Sequence, residues 1–234
     1  TAAGVEVLLA TAVDDLETSG PGARVVRCGE QRIEAEAVIV TTPPEAAAAL
    51  VGGDALGPVE RLGASPIVNV HLVLDRRVSD LEMFACVRSP VQFVFDRTES
   101  AHFGDAAPPL EGEQCLSISL SGADADIGRR PEELISSYFA ALAEVLPAAR
   151  SARLVDAVVS RERLATFRAV PGTAGLRPAV TTPIDRVLVA GAWCDTGWPA
   201  TMEGAVRSGR AAAAAALDRI GGSGADHELE AVAS

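Results

Sequence analysis

Apolar and polar positions in this chain recur with two periods, and the switches between them divide it into elements. Residues 5–13 alternate and read as a strand ending near Val13. Residues 23–28 and 31–34, split by Gly29-Glu30, read as a hairpin. Ala35-Glu-Ala-Val-Ile-Val-Thr41 reads as a buried strand that Thr41-Thr42-Pro43-Pro44 ends, with a short helix over 45–50. Residues 67–74, 83–87, 91–95 and 115–120 alternate or run apolar between Ser-Pro and Gly-rich breaks, as strands of a mostly antiparallel sheet do. The period then lengthens. Pro131 with Glu132 and Glu133 starts a helix, Leu134, Ile135, Tyr138, Leu142 and Val145 give it one apolar face, and Pro147 ends it. A strand follows over 154–160, then a Pro-rich connection that passes Arg168 and Arg177, and a short apolar strand over 187–190 bounded by Gly191.

The stretch after that strand is the most constrained. Thr196-Gly-Trp-Pro199 cannot continue a ladder, and Pro presets the φ that a helix needs at its start, so a helix begins near residues 200–202. Gly204, Ser208, Ala211, Ala212 and Ala215 share one face of it, an inner stripe almost without side chains that lets other backbone or a ligand come close. A strand, a glycine turn and a first helical turn with free N–H groups make a site for an electron-rich group. On the residues alone, the same stretch equally suits an ordinary βα unit.

Length and composition narrow the field. At 234 residues, 48% hydrophobic and 22% charged, the chain can bury a core, and no apolar run reaches the about 20 residues of a bilayer span, so a cytoplasmic protein is expected. The formal charge is −12 and the 20 basic residues are all arginines, scattered along the chain, which argues against nucleic acid as a partner. Without lysine there is no P-loop lysine, no Schiff base and no lysine general base. Cys28, Cys86, Cys115 and Cys194 stand far apart and read as incidental thiols, with Cys194 set apart only by lying in the turn. His71, His102 and His227 form neither a metal set nor a triad, and Asp124-Ala-Asp126 reads as a solvated turn before the helix, so no metal is expected.

Asp195-Thr-Gly-Trp-Pro-Ala-Thr-Met-Glu-Gly-Ala-Val-Arg-Ser-Gly209 resembles the C-terminal flavin motif of the FAD-dependent amine oxidase and carotenoid desaturase superfamily, and its wording is closest to the squalene-associated branch. Ser89-Pro-Val-Gln-Phe-Val-Phe-Asp-Arg97 is similar to the same branch. The resemblance implies an α/β (α+β) fold: the C-terminal part of a two-domain flavoprotein, with a Rossmann-like FAD-binding part over 1–58 and 161–220. An antiparallel-sheet substrate domain with helices would cover 59–160, and a disordered tail 221–234. It implies FAD as cofactor, held by Gly191, Thr201, Met202, Glu203 and Gly204 with Asp195 and Trp198 of the turn, by Val13 at the adenine half, and by Thr41 and Thr42 in a turn beside the cofactor. Family members usually carry an acidic residue where this chain has Ala192, so that hydrogen bond to the cofactor's sugar chain is either missing here or supplied by Asp195. Inward Phe93, Phe95 and Phe103 could line a lipid pocket or simply fill the core, and Arg168 or Arg177 would stand near the cofactor or in surface salt bridges.

The implied reaction is oxidoreduction of an isoprenoid, hydroxysqualene reduced to squalene, by an enzyme that rests on the membrane surface; no residue is singled out as its general acid. A phytoene-type desaturase and a flavin amine oxidase are the alternatives. A third is a non-catalytic fragment, because no window supplies the G-x-G-x-x-G that seats a dinucleotide pyrophosphate. That absence implies an N-terminal half in the same chain or in a partner.

Overall fold

The computed structural model describes residues 4–18, 24–100 and 112–221. Phe103, His102 and His227, and the expected tail beyond Gly221, lie outside them. In chain order the elements are β1 (Asp15–Glu17), β2 (Arg24–Cys28), β3 (Gln31–Ala35), β4 (Val38–Val40), α1 (Pro44–Val51), β5 (Ser65–Leu74), β6 (Met83–Ala85), β7 (Phe93–Asp96) and β8 (Gln114–Ser121). They continue with α2 (Pro131–Val145), β9 (Leu154–Thr166), β10 (Val187–Val189) and α3 (Met202–Gly221). They form two compact units, Thr1–Gly63 with Arg168–Ser234, and Ala64–Phe167.

In the first unit, β2 and β3 pair through the two-residue Gly29-Glu30 turn, which Gly29 closes at φ 61°. The side chain of Asp14 holds the Gly29 amide at 2.5 Å. β1 adds to this hairpin antiparallel. The strand expected to end near Val13 is absent: pairing starts at Asp15, and Val5, Val7, Leu8 and Leu9 are exposed. Their alternation has no partner strand among the described residues, and an unpaired ladder is not stable in water. β4 and β10 run parallel, Val38 opposite Val187 and Val40 opposite Val189. β10 is fully buried, as its unbroken apolar run requires. Leu188 and Ala190 pack on Ala212 and Ala216 of α3.

The second unit is a five-stranded antiparallel sheet in the order β6-β7-β8-β5-β9. Alternate residues Val68, Val70 and Leu72 of β5, with Leu116, Ile118 and Leu120 of β8 and Val94 of β7, face Leu134, Tyr138, Ala141 and Leu142 of α2. Asp126 is more than a solvated turn residue, since its carboxylate accepts the Tyr138 hydroxyl at 2.9 Å and pairs with Arg129 at 2.8 Å. β9 runs on to Thr166 rather than stopping at residue 160, because β5 offers it partners as far as Ser65. The chain therefore passes between the units at Gly63/Ala64 and Phe167/Arg168. Phe93 and Phe95 do not point inward. Val94 takes the core position of β7, and the two rings stack at 6.5 Å on the opposite face, with Phe93 42% exposed.

Candidate functional site

The turn between β10 and α3 is held by side chains whose roles follow from local geometry. Gly191 closes the strand with its amide donating to the Ser208 hydroxyl at 2.8 Å, and that hydroxyl donates to the Ala205 carbonyl at 2.7 Å. A Cβ on Gly191 would stand 2.4 Å from Trp193 Nε1, so glycine is required by the buried indole beside it. The indole N–H donates to the Thr42 carbonyl at 3.2 Å. That bond ties the α3 turn to the turn after β4.

The Asp195 carboxylate accepts the Gly197 amide at 3.0 Å and shapes the turn, with Gly197 at φ 66°. The Arg177 guanidinium donates to the carbonyls of Trp198 (2.7 Å), Ala192 (3.1 Å) and Cys194. It therefore clamps the turn from behind, where a surface salt bridge was one expectation. A planar fork with several donors suits this task, which a single ammonium cannot do. Burial pushes the Cys194 thiol up to about 12 against the opposing pull of Arg177, so it stays a neutral thiol.

Thr201 precedes α3 and caps it: its hydroxyl accepts the Gly204 amide at 3.2 Å while its carbonyl accepts the Ala205 amide at 3.0 Å. The Met202 and Glu203 amides are left as first-turn donors without intrahelical acceptors. Met202 is 88% exposed at this end. Glu203 pairs with Arg207 at 2.7 Å, and the Arg207 guanidinium lies 4.2 Å from the Trp198 ring centroid. A Cβ on Gly204 would meet the Pro199 carbonyl oxygen at 2.6 Å, which explains the glycine at this turn of helix. The buried stripe is Gly204, Ser208, Ala212 and Ala216. Ala211 is exposed and Ala215 only partly covered, because an exact i+4 row faces β10.

Val13, Thr41 and Thr42, far from this turn in sequence, line one cavity of about 180 Å³ with Leu16, Val26, Val38, Ile39, Val40 and Leu50. The expected positions thus fall into two groups, this cavity and the α3 turn, joined by Trp193 and Thr42. Two hydroxyls in these turns, Thr42 Oγ1 and Thr196 Oγ1, are buried and have no hydrogen-bond partner among the described residues. A buried hydroxyl left unpaired is costly, and a polar ligand in the cavity and turn would relieve it. The residues present accordingly fit a group with an apolar ring and a polar chain. Among the described residues no His, Cys, Asp or Glu cluster could hold a metal.

The sequence reading missed Ser208 and Trp193 as the two ties of the site. Ser208 was the only polar residue on a stripe of Gly and Ala, and that anomaly was the available signal.

The family description "Flavin containing amine oxidoreductase" matches residues 1–217. Hydroxysqualene dehydroxylase of Sinorhizobium fredii is 34% identical over 182 residues, which are 78% of this chain and 39% of that protein. 15-cis-Phytoene desaturase of Synechococcus elongatus is 28% identical over 202 residues, 81% of this chain and 41% of that protein. The chain therefore spans about two fifths of the length of these relatives. Among solved structures, cyclohexylamine oxidase of Brevibacterium oxydans superposes with a TM-score of 0.62 at 19% identity, over 91% of this chain and 49% of that one, a likeness of fold. The match over nearly the whole length, on a fold of the same kind, makes this chain a member of the flavin containing amine oxidoreductase family.

Proposed function

We propose that this chain forms one side of an FAD site in an oxidoreductase that reduces hydroxysqualene to squalene. The observation that carries the cofactor assignment is the pair of buried, unpartnered hydroxyls, Thr42 Oγ1 and Thr196 Oγ1, in two turns that Trp193 holds together. In this reading Val13 seats the adenine half, Thr41 and Thr42 lie beside the cofactor, and Gly191, Asp195 and Trp198 border its polar chain. Thr201, Met202, Glu203 and Gly204 present the α3 N-terminus to the flavin. Bound FAD would supply the hydride chemistry.

The chain's own groups orient and polarise. The first-turn amides of α3 and the helix dipole favour negative charge at the edge they face. Arg177 and Ser208 fix that helix end with hydrogen bonds to backbone. Met202, exposed and apolar, helps to keep water from the same edge. The substrate is supported by the 34% identity to a hydroxysqualene dehydroxylase. A phytoene-type desaturase is the second reading, supported by an alignment that covers more of this chain. No helix among the described residues is long and apolar enough to cross a membrane. A cytoplasmic enzyme resting on the membrane surface would suit a substrate drawn from lipid.

The test is to offer the full-length flavoprotein hydroxysqualene, phytoene and a panel of amines, with reduced or oxidised FAD. Squalene formation is expected. Oxidation of amines with peroxide release, and no turnover of either isoprenoid, would overturn the proposal.

A further inference from the structure

The face of the five-stranded sheet turned away from α2 carries chemistry that the flavin assignment leaves unused. α2 covers one face. On the other, Asn69 and His71 stand two residues apart on β5 and so point the same way, with Ser160 of β9 directly opposite Asn69. Asn69 Nδ2 donates to Ser160 Oγ at 3.3 Å, and His71 Nε2 lies 3.3 Å from the same oxygen. On the β8 side their neighbours are Ser119 and Ser117. Beyond these come the stacked rings of Phe93 and Phe95, with Met83 opposite Phe95. Val158, 52% exposed, faces His71 from the other side. A small polar centre thus has apolar side chains on both sides across the sheet, with Glu162 and Asp156 farther along the same face of β9.

The centre carries no formal charge. Burial, with Arg97 nearby, holds the His71 imidazole below its ordinary range and hence neutral near pH 7. Arg97 lies over the Phe95 ring, 5.7 Å from its centroid, so a cationic ligand would meet a fixed positive charge here. Among the described residues, Asn69 Oδ1 and His71 Nδ1 have no hydrogen-bond partner, so the cluster offers acceptors and donors together. That set matches an alcohol, which both donates and accepts. It suits neither an ammonium nor a bare hydrocarbon.

We propose that Asn69, His71 and Ser160 bind the hydroxyl of a long isoprenoid alcohol whose chain lies along Phe93, Phe95, Met83 and Val158, and that they distinguish this alcohol from the deoxygenated hydrocarbon. The proposal rests on the isoprenoid reading above and deepens it: these residues set the preference for substrate over product.

The experiment compares hydroxysqualene with squalene, each delivered from the same detergent micelles to the flavin-loaded full-length protein. One or two neutral hydrogen bonds give an expected preference for the alcohol of about tenfold. Ser160→Val should abolish the preference and leave squalene affinity unchanged, while Ser160→Thr, of the same shape but with its hydroxyl kept, should retain it. Both substitutions place β-branched residues at an exposed strand position, where they are well tolerated. In the unsubstituted protein, the His71 imidazole resonance should move on addition of hydroxysqualene and stay still with squalene. Equal preference in the Val and Thr variants, or a His71 resonance indifferent to the alcohol, would overturn the cluster. Equal binding of both isoprenoids would remove the hydroxyl assignment alone, whereas binding of amines and of neither isoprenoid would bring down the functional reading beneath it.

Discussion

Ser208 and Gly191, seventeen positions apart, are joined by a 2.8 Å hydrogen bond from the glycine amide to the serine hydroxyl. It fixes the end of β10 to the second turn of α3. Because Ser208 is fully buried, Ser208→Ala leaves the Gly191 amide without its acceptor and without water. The variant should lose about 1–3 kcal/mol, the cost of an orphaned buried donor, as read from urea denaturation. A loss below a few tenths would mean that the turn relaxes freely.

Gly191→Ala should act through the indole. The new methyl would stand 2.4 Å from Trp193 Nε1, so Trp193 must swing away from the Thr42 carbonyl. Trp193 is buried and the other tryptophan, Trp198, is 41% exposed, so the displacement should appear as a red shift and loss of the blue component of the emission. An unchanged spectrum would contradict this packing.

Arg177→Lys should free the turn over residues 192–198. One ammonium cannot reach the carbonyls of Ala192, Cys194 and Trp198 at once. Faster amide hydrogen exchange across the turn is expected, with exchange in β5 and β8 unaffected. Slow exchange throughout would assign the clamp to other groups.

The cysteines should separate by access. Burial holds Cys194 near 12 and raises Cys115, so neither is a thiolate at neutral pH, whereas Cys28 is only half-buried. A thiol reagent at pH 8 should modify Cys28 in the native protein, and Cys194 and Cys115 only after unfolding. Native labelling of Cys194 would show that the α3 turn opens.

Asp75 sets an acid limit. The hydrogen bond from Arg76, with another from the Arg153 amide, brings its carboxyl from 3.8 to about 2. A carboxylate depressed on folding stabilises above its unfolded value and loses that contribution as the pH falls toward the folded one. Asp75→Asn should therefore be less stable than the parent at neutral pH, and the difference should vanish between about pH 4 and pH 2. A difference that persists at pH 2 would place its origin elsewhere.

Much of the architecture was legible because each strand of the second unit alternates against one helix, and because Gly29-Glu30 and Pro131 mark their elements unambiguously. What escaped depended on tertiary partners. The alternation over residues 5–13 looked like a strand but has no pairing partner among the described residues, and β9 gained residues because β5 was long enough to hold them. Phe93 and Phe95 were placed inward along with the sheet the resemblance implied, although period two allows either parity and Val94 fills the core. In the candidate site, Gly204 was readable as a close approach from the small-residue stripe it shares with Ser208. Arg177 was not, since nothing in its neighbourhood along the chain announces the three carbonyls it reaches.

The first unit is built from two stretches with the second unit inserted between them, and the Arg168 amide bonds to the Leu62 carbonyl at 3.0 Å where the stretches meet. The interruption therefore begins and ends at one point. In folding, the inserted sheet can form from its own contiguous residues, while β4 must wait for β10 to close a loop of more than a hundred residues, an entropic penalty that grows only slowly with loop length. In evolution, the same geometry lets a sheet of different size or lining be exchanged between residues 63 and 168 without moving either end of the scaffold that carries it.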